Sequence, residues 1–158
     1  MRLKQIEGVD VNYEAGPPAV LSYLAKLAVD SDGGPNIDHD PYWQAETSLK
    51  LNGKSINAQK VPYTVIPIGI SNMIPPIVLG SKVICTNTKN GKVVEGVVAD
   101  LGPRTKVGEA SCEMARRLGL SGNSNHGGTS DHIIHYEIYV GVPAVVDGVC
   151  YQLQPLHG

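Results

Sequence analysis

Three dipeptides of one kind punctuate this chain: Asn52-Gly53, Asn90-Gly91 and Asp147-Gly148, each between residues suited to strands. A tight two-residue hairpin turn needs positive φ at its central positions, which Asn, Asp and Gly tolerate, so the three predict antiparallel hairpins and a mainly β chain. The clearest is the second, where Lys82 to Thr88 leads in and Lys92 to Ala99 leads out. Tyr63 to Ile68, Val78 to Ile84, Ile133 to Val140 and Val149 to Leu153 supply further strands. A helix is expected after Glu109, because Met114, Ala115 and Leu118 share a face. Ser111 suits its N-cap, Glu113 its first turn, Arg116 and Arg117 its last turn, and Gly119 its stop. Ala19 to Val29 is dense enough in apolar residues to predict a second, short buried helix. Residues 1 to 18 read as a strand or irregular arm closed by Gly16-Pro17-Pro18, and Ser31 to Pro41 as loop. The sum is a small six-stranded β-barrel with one or two short helices.

The 158 residues fit a single domain, 1–158, with 42% hydrophobic and 18% charged residues and no apolar run long enough to span a membrane. A net charge of -2 gives no electrostatic case for nucleic acid, while neutral or cationic substrates remain open. Cys85, Cys112 and Cys150 cannot all pair within one chain and lack zinc-site spacing, so buried free thiols are expected. The first twenty residues include Arg2, Lys4, Glu7, Asp10 and Glu14, so no signal-peptide apolar core is read there.

The chemistry concentrates between residues 93 and 120. The Val-rich run Val93 to Ala99 ends on the carboxylate of Asp100 before the turn Leu101-Gly102-Pro103, and Glu109 follows just before the helix. Both acids are expected in joints between regular elements, held by the backbone yet reachable, which suits a general acid and a general base. Taken alone, an Asp before such a turn is more often an Asx motif, and a Glu before a helix often compensates the dipole.

Ala99-Asp100-Leu101-Gly102-Pro103, Val107-Gly108-Glu109-Ala110-Ser111, Ala115 and Leu118-Gly119-Leu120 resemble the core motif of the glycoside hydrolase family 75 chitosanases. The same order of landmarks runs through Val29-Asp30-Ser31-Asp32-Gly33, Asp40-Pro41-Tyr42-Trp43-Gln44, Thr47-Ser48, Val61 to Pro67 and Gly127-Gly128-Thr129, covering roughly residues 27 to 141. The resemblance implies inverting endo-hydrolysis of β-1,4 linkages in chitosan or a related glucosamine polymer, with Asp100 and Glu109 as the acidic pair. The strand, Asp-X-Gly-Pro loop, acid and helix also resemble the double-psi β-barrel of expansins, family 45 cellulases and some lytic transglycosylases, an analogy of fold only. An inverting pair stands about 6.5 to 9.5 Å apart to admit a water, a distance the intervening turn permits. Asp100, after a buried strand, is expected to be the acid and Glu109 the base, with the reverse assignment open.

Asp30, Asp32, Asp38 and Asp40 invite a calcium reading, but Pro35 stands at the obligatory glycine of an EF-hand and Pro41 where its bidentate Glu belongs. A solvated loop is the favoured plain reading; a cleft for protonated glucosamine would instead use carboxylates, placing Asp30, Asp32, Asp40 and Glu46 near substrate. Trp43 or Tyr42 is a stacking candidate, against core packing for either ring, and Thr129 joins the substrate-binding set. His132 and His135 would point to opposite faces of a strand, arguing against joint chelation with His126 or each other. Arg104 and Lys106 would either lower an acid's pKa or be solvated. No metal or cofactor is expected. The expected partner is a polysaccharide, with no nucleic acid and no membrane insertion, acted on by a monomer that is extracellular or exported. The rivals are a peptidoglycan-cleaving transglycosylase and a non-catalytic polysaccharide-binding barrel.

Overall fold

The computed structural model describes residues 1–67, 78–102 and 106–154. Pro103 and Arg104, and the far end of the run expected to reach Ile68, lie outside the described residues. The chain opens with a hairpin of β1 (Arg2–Ile6) and β2 (Val9–Glu14), then β3 (Val20–Asp30). The short pair β4 (Lys50–Leu51) and β5 (Lys54–Ser55) precedes β6 (Tyr63–Pro67), β7 (Ser81–Asn87) and β8 (Val93–Gly102). β9 (Glu109–Ser111) runs directly into the helix α1 (Cys112–Arg117), and β10 (Thr129–Pro143), β11 (Val145–Val146) and β12 (Val149–Cys150) finish the fold.

Six strands close a barrel in the order β3-β10-β7-β8-β6-β9, with β9 pairing back onto β3. Most neighbours are antiparallel, but β3–β9 and β6–β8 are parallel. The mainly β barrel with one short helix is the architecture expected from the turn dipeptides. β3 is shared along its length: its first half also pairs with β2, its last residues with β9.

The second expected helix is absent, because Ala19 to Val29 forms most of β3 instead. Leu21, Tyr23, Ala25 and Leu27 are buried and alternate with less buried residues, a period of two. The outward positions Val20, Leu24 and Ala28 are apolar as well, so the alternation is hidden by composition. Tyr23 faces Tyr136 across the β3–β10 register, with ring centroids 4.8 Å apart.

The Asn52-Gly53 and Asp147-Gly148 turns have both residues at positive φ and join β4–β5 and β11–β12. The Asn90-Gly91 hairpin forms between β7 and β8, but Asn87 pairs with Lys92, so the loop has four residues and only Gly91 is left-handed. Residues 1 to 14 hold a fourth hairpin turning at Glu7-Gly8, where a Glu occupies a positive-φ position (52°) that Asn or Gly would fill more easily. Helix α1 keeps its expected caps: the Ser111 side chain accepts from Met114 N (3.1 Å), Glu113 stands in the first turn and the two arginines in the last. Met114, Ala115 and Leu118 are buried. Cys85 and Cys112 are buried free thiols; Cys150 is free but exposed, because β12 lies at the outside of the fold.

Candidate active site

β6 lies between β8 and β9, and its Val65 is in register with an acid on each side: Asp100 of β8 and Glu109 of β9. In-register neighbours point to the same face, and two strand spacings separate the acid-bearing backbones by roughly 9–10 Å. The carboxyls of an inverting pair stand about 6.5–9.5 Å apart around a water, and backbones at this spacing leave the two side chains room to reach such a separation. A β-bulge produces the alignment. Thr64 pairs with Val98 but Val65 with Asp100, so Ala99 is an extra residue; in an unbroken ladder Asp100 would face Ile66 and point to the other side. Asp100 therefore sits inside β8, which runs on to Gly102, and Glu109 is the first residue of β9; neither occupies a joint outside regular structure, as the sequence suggested.

Asp100 and Glu109 line one cleft of about 380 Å³ with Asp30, Asp32, Asp40, Tyr42, Gln44, Lys106 and Ser124, floored by Val65. Asp30 ends β3, two residues beyond Ala28, the partner of Glu109, which puts it on the same side. Each of three acids ties one oxygen to backbone amides. Asp30 Oδ1 accepts from Asp32 N (2.8 Å), and Asp32 Oδ1 accepts from Gln44 N (2.8 Å). Asp100 Oδ1 accepts from Ser48 N (3.1 Å), Ser48 Oγ (3.0 Å) and Leu101 N (3.0 Å). One carboxylate oxygen from each of Asp30, Asp32 and Asp100 lies within 4.8 Å of the others, the one set of three such groups among the described residues close enough to hold an ion, and side-chain hydrogen bonds link Asp32 to both Asp30 and Asp100. Ionised together they would repel strongly, so the arrangement favours shared protons.

Burial sets the electrostatics. It raises Asp30, reinforced by the charge of Asp32, and it raises Asp32 against the Gln44 amide. Asp100 is pushed up to about 6 by burial, against the hydrogen bonds from Ser48 and Leu101. Glu109 is also raised by burial, but Lys106 and Lys26 pull it down. One acid thus lies under neutral and anionic groups and the other beside cations, which separates their roles.

The acidic loop forms the opposite wall. Asp38 accepts from Ser124 N (3.0 Å) and Asn123 Nδ2 (3.4 Å), binding the loop to the segment before β10, and Asp40 Oδ1 accepts from Tyr42 N (2.9 Å). The structure brings Asp30, Asp32 and Asp40 to the cleft as expected, but not the other three residues of the substrate-binding set. Trp43 turns its indole Nε1 onto Gly34 O (2.8 Å) and is outside the lining, whereas Tyr42, 87% exposed, stands in it. Glu46 is exposed and pairs with Lys50 (3.2 Å), and Thr129 starts β10 beside Leu27, both away from the cleft. His126 and His132 are exposed, and His135 lies 3.8 Å from Glu137. Gln44 and Ser48 stand in the sequence only as landmarks of the resemblance and Ser124 not at all; contact across the fold brings them to the acids. No protein-family model matches the chain, and no curated protein does either.

Proposed function

We propose that the protein is an inverting endo-glycosidase acting on chitosan or a related polymer of glucosamine. The observation that carries this reading is the placement of Asp100 and Glu109 on either side of Val65, facing one acid-walled cleft. Asp100, with its raised pKa, gives its proton to the glycosidic oxygen as the bond to the anomeric carbon breaks. Glu109 takes a proton from the water that attacks that carbon from the opposite ring face, so one water is added across the bond and the configuration inverts. Asp30, Asp32 and Asp40 offer carboxyl oxygens to the ammonium of an amino sugar, whose charge favours the ionised forms of the raised Asp30 and Asp32, and Tyr42 offers an aromatic face to a ring.

Incubation with chitosan, acetylated chitin and peptidoglycan in parallel, following reducing ends and the anomer first formed, tests the reading. New reducing ends from chitosan with inverted configuration are expected. Anhydro products from peptidoglycan would point instead to a transglycosylase, and binding of polymer without cleavage to a non-catalytic barrel; either result overturns the proposal. Asp100→Asn and Glu109→Gln should each abolish turnover while leaving the circular dichroism spectrum unchanged, and near-full activity in Asp100→Asn would remove it from the mechanism.

A further inference from the structure

We infer that Ser48 is a positioning residue for the general acid, holding Asp100 so that Oδ1 is the oxygen that carries negative charge and Oδ2 the one that delivers the proton. The inference rests on the reading of Asp100 as the acid.

Asp100 accepts three hydrogen bonds from N–H and O–H donors among the described residues, all of them at Oδ1 and two from Ser48, while its further side-chain hydrogen bond is shared with the carboxyl of Asp32. An oxygen already accepting three donors is a poor place for a proton, so the proton is left to Oδ2. As that proton departs, charge develops on the carboxylate and the bonds to Oδ1 strengthen, so Ser48 favours the transition state more than the resting acid. The segment carrying Ser48 is built to hold it there. Leu49 N donates to Ala99 O (2.9 Å), the carbonyl of the bulge residue itself. Thr47, buried, accepts from Ile56 N (2.8 Å) and donates to Leu49 O (2.8 Å), and Gln154 donates to Ser48 O (3.2 Å) while accepting from Lys50 N (3.1 Å). The bulge that turns Asp100 toward Glu109 thus also supplies the anchor for the residue that orients it. The ionisable groups facing Asp100 are Asp30 from β3, Asp32 from the loop after it, Tyr63 from β6 and Glu109 from β9, with Lys106 at the rim. All are common to the wild type and the variants below.

Ser48→Ala keeps the backbone donor and removes Oγ. The expected result is a fall in kcat of roughly tenfold with KM unchanged, and movement of the alkaline limb of the kcat–pH profile upward by about one pH unit, since a donor to the ionised form is lost. Ser48→Thr should restore both. A rate loss with no movement of the limb, or no change at all, would overturn the inference. If Ser48→Ala fails to fold, Gln154→Ala, which slackens the same segment from outside the cleft, should move the limb in the same direction; an unmoved limb there overturns it equally. The carbon-13 titration of the Asp100 carboxyl in wild type and Ser48→Ala needs no substrate. A raised midpoint in a protein that cleaves no glycan would sink the hydrolase reading and keep Ser48's hold on Asp100, whereas an unchanged midpoint in an active enzyme would do the reverse.

Discussion

A missing side chain makes room for Glu109, the proposed base. A methyl group on Gly102 would stand 2.9 Å from Glu109 Oε2 and 3.0 Å from Val65 Cγ1, so Gly102→Ala should displace the carboxylate and lower kcat by at least roughly tenfold with a small change in Tm. Steady-state kinetics beside a thermal melt checks this, and unaltered kcat would mean that Glu109 does not act from its present position. The pH profile belongs to the same scale. Asp100 must be protonated and is pushed up to about 6, so activity should fall as pH rises past that value; the acidic limb should follow Glu109, which must be ionised. That the two acids approach one another was suggested in the sequence by their positions in one short stretch, Asp100 at the end of an apolar run two residues before Gly102 and Glu109 directly after Gly108. Asp30 and Asp32 were read as candidates near substrate, but their convergence on Asp100 was not, since no local pattern reports a contact between β3 and β8. That Tyr42 and not Trp43 lines the cleft was likewise not legible, since it follows from an indole N–H that finds a carbonyl within its own loop.

Among the elements, the three hairpins at Asn-Gly and Asp-Gly were legible because those turn residues are chemically marked, and the helix because its caps are, whereas the hairpin at Glu7-Gly8 carries no such mark. β3 was not legible, since three of its outward positions, Val20, Leu24 and Ala28, are apolar too and a dense apolar run reads as helix. The bulge was invisible for a related reason: Val97, Val98 and Ala99 are all buried, so nothing in the pattern shows where the alternation skips. The entry to β9 depends on Gly108, at φ 92°, where a Cβ would meet Lys26 O at 2.4 Å. Gly108→Ala combines that clash with a left-handed backbone and should cost about 2–4 kcal/mol of stability, together with loss of activity. Gly8→Ala is the matched control: φ is 77° but the space is open, so about 1 kcal/mol is expected. Denaturant melts of both separate the clash from the backbone term, and equal effects would show that the contact with β3 is not tight.

For the molecule as a whole, the cleft trades stability for chemistry. Four acids, Asp30, Asp32, Asp100 and Glu109, have folded-state pKa values raised above their ordinary ones. The native state therefore binds more protons than the unfolded chain over that range, and stability is greatest below the ordinary carboxylate pKa and is lost as pH rises through the folded values. Tm should be higher near pH 4.5 than at pH 7.5 by several degrees, and Asp100→Asn should recover on the order of 2–3 kcal/mol at neutral pH while abolishing turnover. A Tm that climbs from pH 4.5 to 7.5 would contradict this. Activity should also survive exhaustive treatment with a chelator, and its loss, restored by a divalent cation, would reassign the three converging aspartates. The hairpin of β1 and β2 extends the sheet beyond β3, on the barrel's flank. Yet Glu7 at its tip accepts a hydrogen bond from Val107 N (3.0 Å), inside the short segment that delivers Glu109 to its place. The hairpin is a buttress, and a shortened version of the protein that discarded it would keep every acid of the cleft while slackening Glu109, the one proposed to draw the proton from water, losing rate before it lost shape.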